Sequence, residues 1–372
     1  MNVHAVHIDP ETLHEVPDHP AELAAWLNRQ TPDDYRSWTA VGQAARLLRR
    51  LDQAEHALSR ALALNDTAAA RLRFAHVLQW QGRFAEANAE FDRCVREAGD
   101  FRHFAHQHAG KCRYDEGRWG LALGHFQESL HLRANADEDL VVSAALAVDA
   151  ADACLTAATI APELDRLVPA VHRAAGPAVV AQVVDRPPHL GVLADVAGLL
   201  VVGPAKRQVI RDLHRYVPDI DARHADLAEA GWLVLTDDEV TATARCLPLL
   251  HLVNDVHATT AATFWPTPFT IPVRPQHPMA DAVTGTTPAA RLFDQLRVLR
   301  HDRADAHAAA WQAEGLTATE VEALSPDAPL RRRIETTTDR IAARPYRKIE
   351  IKSRAHLIDN LRALPEHSPG PA

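Results

Sequence analysis

The sequence predicts a mainly α-helical protein in two parts: a solenoid of stacked helical hairpins, then a second helical domain. Three observations carry this. A four-residue pattern recurs at spacings of 33 and 35 residues: Leu51, Ala54, Leu58 and Ala61, then Phe84, Ala87, Phe91 and Cys94, then Trp119, Ala122, Phe126 and Ser129. A small residue stands nine positions before each set, at Gly42, Ala75 and Gly110. The register is lost beyond Pro162 and Pro169, which interrupt the helical pattern. A period near 34 residues with small residues at fixed places marks units that bury their apolar faces only by stacking.

Each element follows in order. Residues 1–34 read as an N-terminal extension. In the first repeat Trp38, Val41, Ala45 and Leu48 keep helical spacing, and Ala54, Leu58, Ala61 and Leu62 keep it again. Gly42, Ala75 and Gly110 let the two helices of a hairpin approach, and Gly82 and Gly117 stand where the chain turns. Bulky Leu51, Phe84 and Trp119 plug each hairpin, and Ala54, Ala87 and Ala122 admit the next unit. The Ala-rich run from Leu140 to Ala158 is expected to cap the last apolar face, giving a solenoid over 35–158. A linker over 159–170 follows, then a helical domain over 171–362 and a disordered tail over 363–372.

The segments "WQGRFAEANAEFDRC" and "DEGRWGLALGHFQESL" resemble the second-helix pattern of the tetratricopeptide repeat family, over about residues 35–136. The usual proline after the second helix is missing, with Asp66 in its place in the first repeat. The resemblance implies protein or peptide binding on a concave face. Some members grip a terminal carboxylate with Lys and Asn, but Thr39 and Gln43 stand at those places here. The first-helix polar residues Arg73, His76, His103, Gln107 and Lys111 are candidates for lining the groove, against the alternative of a solvated helix face.

Residues 171–265 read as a winged helix-turn-helix: a helix over Lys206–Leu213, a second over Asp219–Ala230 with Ile220 and Leu227 inward, a hairpin turning at Thr236-Asp237-Asp238, and a long helix over Ala244–Phe264. The order is similar to MarR-type regulators. DNA is nonetheless a disfavoured partner. The helix that would enter the major groove carries Asp219, Asp221, Asp226 and Glu229 against Arg223 and His224, and phosphates repel such a face. Arg207, Arg211 and Arg215 precede it as candidate backbone contacts. A homodimer is an alternative use of this unit.

After a proline-rich break at 266–278, Leu299, Arg300, Arg303, Asp305, His307, Ala308, Gly315 and Leu316 form one run. Ile334, Glu335, Thr338, Asp339, Arg340, Ile341 and Ala342 form a second, and both resemble a poorly characterised actinobacterial helix-turn-helix-like family. Arg300, Arg303 and His307 share one helical face, and Glu335 and Asp339 share another. The two faces read as a buried ion-pair network. The sharper alternative is a ligand pocket, with Arg303 for a carboxylate or phosphate and His307 as speculative acid/base, in an enzyme or small-molecule sensor of natural-product metabolism.

Composition narrows the function. A net charge of −9 over 372 residues gives no general attraction to nucleic acid. Cys94, Cys112, Cys154 and Cys246 lie far apart without a CxxC and read as buried thiols. With 22 histidines, chance neighbours such as His108 with Cys112 or His251 with Asp255 do not make a metal site, and no cofactor is expected. P-loop, GxGxxG and GxSxG motifs are absent. The acidic start "MNVHAVHIDPETLHEV" and the short apolar runs predict a cytoplasmic protein without a membrane segment. "PYRKIEIKSR", within a basic stretch, reads as a docking strand, a contact for an acidic partner or phosphate, or a solvated basic helix end. The reading favoured by the sequence is a scaffolding or regulatory protein rather than an enzyme, with a transcriptional regulator whose repeats sense a partner as a further alternative.

Overall fold

The structure is a computed structural model, which describes residues 5–97 and 99–368. Among these the chain forms seventeen α-helices and five short strands, so the protein is mainly helical. It divides into two compact units between Leu155 and Thr156.

The first unit opens with β1 (Val6–Ile8) and β2 (Glu15–Pro17), an antiparallel hairpin in which Ile8 faces Glu15. Helix α1 (Pro20–Leu27) follows and buries Leu23 and Leu27 in a cluster with Val41, Ala44 and Leu58. The expected extension over 1–34 is therefore built into the unit's packing over its described residues. Three helix pairs come next: α2 (Tyr35–Leu47) with α3 (Leu51–Leu64), α4 (Ala68–Trp80) with α5 (Phe84–Glu97), and α6 (Arg102–Asp115) with α7 (Trp119–Leu132).

Close approach within the pairs is real at two of the three small residues. A Cβ on Gly42 would sit 2.4 Å from Leu58 Cγ, and one on Gly110 would sit 2.5 Å from Phe126 Cε1. Gly82 and Gly117 take a φ of +76° where α4 and α6 end. There the following amides of Arg83 and Arg118 bond back to Leu78 and Arg113, closing the last turn. Arg49 holds the same left-handed place after α2 at a φ of 59°.

Helix α8 (Glu138–Gln182) corrects the linker expected over 159–170. It runs through Pro162, Pro169 and Pro177 for 45 residues. Each proline removes a helical hydrogen bond. The buried stripe of Ile160, Leu164, Leu167, Val171, Ala175 and Val179 continues past all three, and packing of that face outweighs the local loss. By length and composition α8 is also apolar enough to cross a membrane, but half of its most apolar window is buried within the protein.

In the second unit, α9 (Leu190–Asp195) and α10 (Ala197–Val202) precede β3 (Ala205–Lys206), α11 (Arg207–Leu213) and α12 (Ile220–Glu229). The strands β4 (Leu233–Leu235) and β5 (Glu239–Ala242) form a hairpin, with β3 on the other side of β5. Helix α13 (Leu247–Phe264) closes this part over a core that includes Leu193, Ile210, Leu227, Trp232, Val240 and Val253. Helix α14 (Pro288–Ala313) then lies against α16 (Pro329–Ala342), with the short α15 (Ala318–Glu322) between them in sequence.

The expected docking strand is absent, since α17 (Ile351–Ala363) is helical from Ile351. The start of the expected tail is also held. Leu364 is buried, its carbonyl accepts from Arg166, and Pro365 accepts from the Trp265 indole at 3.1 Å. Residues 369–372 of that expectation lie outside the described residues.

Candidate functional site

The first helices of the three pairs line one cavity of about 360 Å³. Gln43 and Arg46 come from α2, Leu72, Arg73 and His76 from α4, and Phe104 and His108 from α6. A half-buried wall comes from the N-terminal hairpin, through Glu15.

That hairpin is seated by a tight loop. Asp9 Oδ1 accepts from the amides of Glu11 and Thr12 and from the Thr12 hydroxyl at 2.9, 2.6 and 2.9 Å. The loop forces Leu13 to a φ of 60°, where a branched side chain costs about 1–3 kcal/mol. Leu13 is only 1% exposed, and its burial returns about 2 kcal/mol. The Tyr114 hydroxyl donates to the Glu11 carbonyl at 2.8 Å, and the Arg46 guanidinium bonds the Glu15 carboxylate. Burial alone would raise the Glu15 pKa, but Arg46 first and then Lys111 hold its carboxyl far below the usual range.

A second line of contacts starts at His14. Its ring accepts from Arg49 at 2.9 Å and donates from Nε2 to Asp115 at 2.7 Å. The same Asp115 oxygen accepts from the Gln79 amide at 2.7 Å. Gln79 in turn accepts from His76 Nδ1 at 3.0 Å, which leaves His76 Nε2 to accept from His108 Nδ1 at 2.8 Å. Burial holds His76 well below its ordinary pKa and His108 down to about 3, so both rings are neutral at pH 7. Trp80 completes the surface, with the guanidinium carbons of Arg49 and Arg46 at 3.8 and 4.5 Å from its ring and His14 stacked at 4.9 Å.

The sequence-derived candidates fare unevenly. Arg73 and His76 line the cavity. Arg73 bonds only the Ala69 carbonyl and has no carboxylate partner among the described residues. Gln107 and Lys111 are buried, at 3% and 8% exposed, and stand outside the lining of this cavity, and burial lowers the Lys111 pKa. His103 accepts from Arg133 at 3.1 Å and stands outside the cavity lining. Thr39 caps back onto the Tyr35 carbonyl. Glu15, Arg46 and Phe104 were not among the candidates. No periodicity marks Glu15, because the hairpin lies outside the repeat, while Arg46 and Phe104 lie on the first helices of their pairs.

In the second unit, Arg303 pairs with Asp339 at 2.8 Å, and His307 Nε2 stands 3.7 Å from Glu335. Arg300 does not join them. It pairs with Asp165 on α8 at 3.0 Å, because it lies one helical turn away from the α16 face. Arg331 takes the other contact to Glu335, at 2.8 Å. Tyr216 enters unforeseen: its hydroxyl accepts from Trp311 at 3.4 Å and bonds His307 Nδ1 at 3.0 Å. Tyr216, Arg300, Arg303, His307, Arg331 and Glu335 border a cavity of about 530 Å³. Each arginine here is matched by a carboxylate, so the cluster carries little net charge.

Other candidates resolve simply. No group of three or more metal-ligating side chains occurs among the described residues. His108 bonds His76, and burial pushes the Cys112 thiol up. On α12, His224 is buried against His214 rather than exposed. Arg211 is held by Asp221 at 2.8 Å, and Arg215 by Asp305 and the Ala304 carbonyl.

No family profile, no curated protein and no solved structure matches this chain.

Proposed function

We propose that the protein is a scaffolding or regulatory protein of the cytoplasm, in which a tetratricopeptide-like solenoid recruits a peptide or protein partner. One observation carries the reading: residues of α2, α4 and α6, the first helices of three successive pairs, line a single cavity. Stacked hairpins present their first helices along one inner face, and such faces serve as extended binding surfaces. The close contacts at Gly42 and Gly110 support the same architecture.

The second unit is read as a winged-helix-like module. Its order of helices, then α11, α12 and the β4–β5 hairpin beside β3, supports this. Use on DNA is not favoured. Asp221, Asp226 and Glu229 are exposed on α12, while the neighbouring Arg211 and Arg215 are spent on internal partners. A small-molecule role for the second unit rests on the Tyr216–His307–Glu335 contacts at their cavity.

Affinity purification from the native host tests the main reading. The variant Arg73→Glu should lose a stoichiometric partner that the unaltered protein retains, and His307→Ala should keep it. Loss with His307→Ala and retention with Arg73→Glu would transfer the role to the second unit.

A further inference from the structure

Without its N-terminal hairpin, the inner helix face is cationic in a chain whose net charge is −9. Arg46 and Arg49 bond the hairpin at Glu15 and His14, and Arg73 stands at the cavity without a carboxylate partner among the described residues. Asp115 is the acidic residue of the helices in this contact network, and it is engaged by His14 and Gln79. The hairpin supplies the missing negative charge through Glu15 and presents a buried aliphatic side chain two residues earlier, at Leu13.

The hairpin is also built for this seat. The turn's own hydrogen bonds hold Leu13 in a left-handed backbone conformation that a bulky residue avoids, so opening the turn releases strain. Its strand pair is three residues long on each side and forms a separate two-stranded sheet, which does not persist alone in water. The docked hairpin thus depends on the helix face for its structure, and it leaves about 360 Å³ of the cavity beside Glu15 unfilled.

We propose that this face is a receptor for an acidic peptide carrying a bulky aliphatic residue two places before a glutamate, and that the chain's own residues 5–17 occupy it as an internal competitor. The proposal rests on the reading of the inner face as a peptide-binding surface. It adds the ligand's chemistry and a built-in means of restraint. A partner segment must displace Leu13 and Glu15, so its apparent affinity is lowered by the fraction of chains that are closed. The apolar lip of Phe101, 62% exposed, and Phe104 offers a foreign peptide contact that the hairpin does not use.

The test uses the full chain and a fluorescent synthetic peptide of residues 5–18. Anisotropy titrations compare the unaltered protein with Leu13→Asp/Glu15→Lys, whose internal hairpin cannot dock, and with Glu15→Lys alone as the milder variant. The opened variants should bind the peptide at least about tenfold more tightly than the unaltered protein. A peptide carrying Glu15→Gln should bind about tenfold more weakly than the natural one. Adding Arg46→Glu to an opened variant should abolish binding. Equal binding by closed and opened proteins would overturn the internal competition. Failure of both opened variants to bind, with their helical circular dichroism intact, would overturn the acidic ligand. If Arg73→Glu still loses the host partner in that case, the recruiting role of the face survives and only its proposed ligand falls.

Discussion

The N-terminal cavity and the Arg303 cluster use the same side chains to different ends. Between α14 and α16, Arg303 and Asp339 come from neighbouring helices of one packed pair, and each charge meets its opposite within that pair. On the inner face of the first unit, Arg46 meets its carboxylate only in Glu15, on a short hairpin outside the helix pairs. An ion pair within a packed pair of helices locks them together. One made by a strained, separately built loop can be broken while the helices stay folded. Residue types alone do not distinguish glue from a binding surface; the attachment of the partner does.

The largest expected effect separates the two units by pH. In the second unit burial holds His172 down to about 2, His301 to about 3, and His257 and His224 to about 4. These rings are neutral in the folded protein, so the unfolded chain binds more protons below about pH 6.5. Stability is fully present above that value and falls as pH drops toward the folded pKa values. At pH 5 each ring costs about 2 kcal/mol, and Asp302, pushed up to about 6 by burial, returns only about 1 kcal/mol. The first unit carries the same liability at His76 and His108, with smaller downward shifts from burial at His103, His106 and His125. Acid unfolding followed by near-ultraviolet dichroism should therefore begin near pH 5, with second-unit amides exchanging first. Loss of the first unit at higher pH would reverse the comparison.

Arg303→Ala comes next. It removes one charged partner of Asp339, 14% exposed, and should cost about 2 kcal/mol in urea unfolding. Gly110→Ala drives a Cβ into Phe126 and should cost about 2 kcal/mol, which measures how tightly the α6–α7 pair closes. Glu15→Gln, in contrast, should cost only about 1 kcal/mol, because the loop can undock and let water reach Arg46. A cost equal to that of Arg303→Ala would erase the distinction drawn above. Arg300→Ala removes an exposed pair with Asp165 and should change stability by less than about 0.5 kcal/mol.

The helix pairs were legible because each must solve the same packing problem, and Gly42, Leu58, Gly110 and Phe126 record the solution at a fixed period. The pair Arg303–Asp339 was legible for a related reason, since helical spacing alone puts those residues on facing surfaces. The three prolines of α8 misled, because a local rule about lost hydrogen bonds cannot weigh the buried stripe that holds the helix. Tyr216 and Glu15 were invisible for another reason. They reach His307 and Arg46 across 91 and 31 residues of sequence, with no repeat to tie them together. Gln107 and Lys111 sit on the expected helix, but their depth depends on neighbours that periodicity does not reveal.

Hydrogen–deuterium exchange at pH 7 over residues 6–17 tests the central claim most directly. The Asp9 and Leu13 amides, bonded to His14 and Asp9 at 2.9 and 2.8 Å, should be protected but exchange through a local opening, well before α4 and α6. Glu15→Lys should remove their protection and leave that of α4 and α6 unchanged. If these amides instead exchange only together with α4 and α6, the hairpin is a permanent part of the fold and not a displaceable occupant of the helix face.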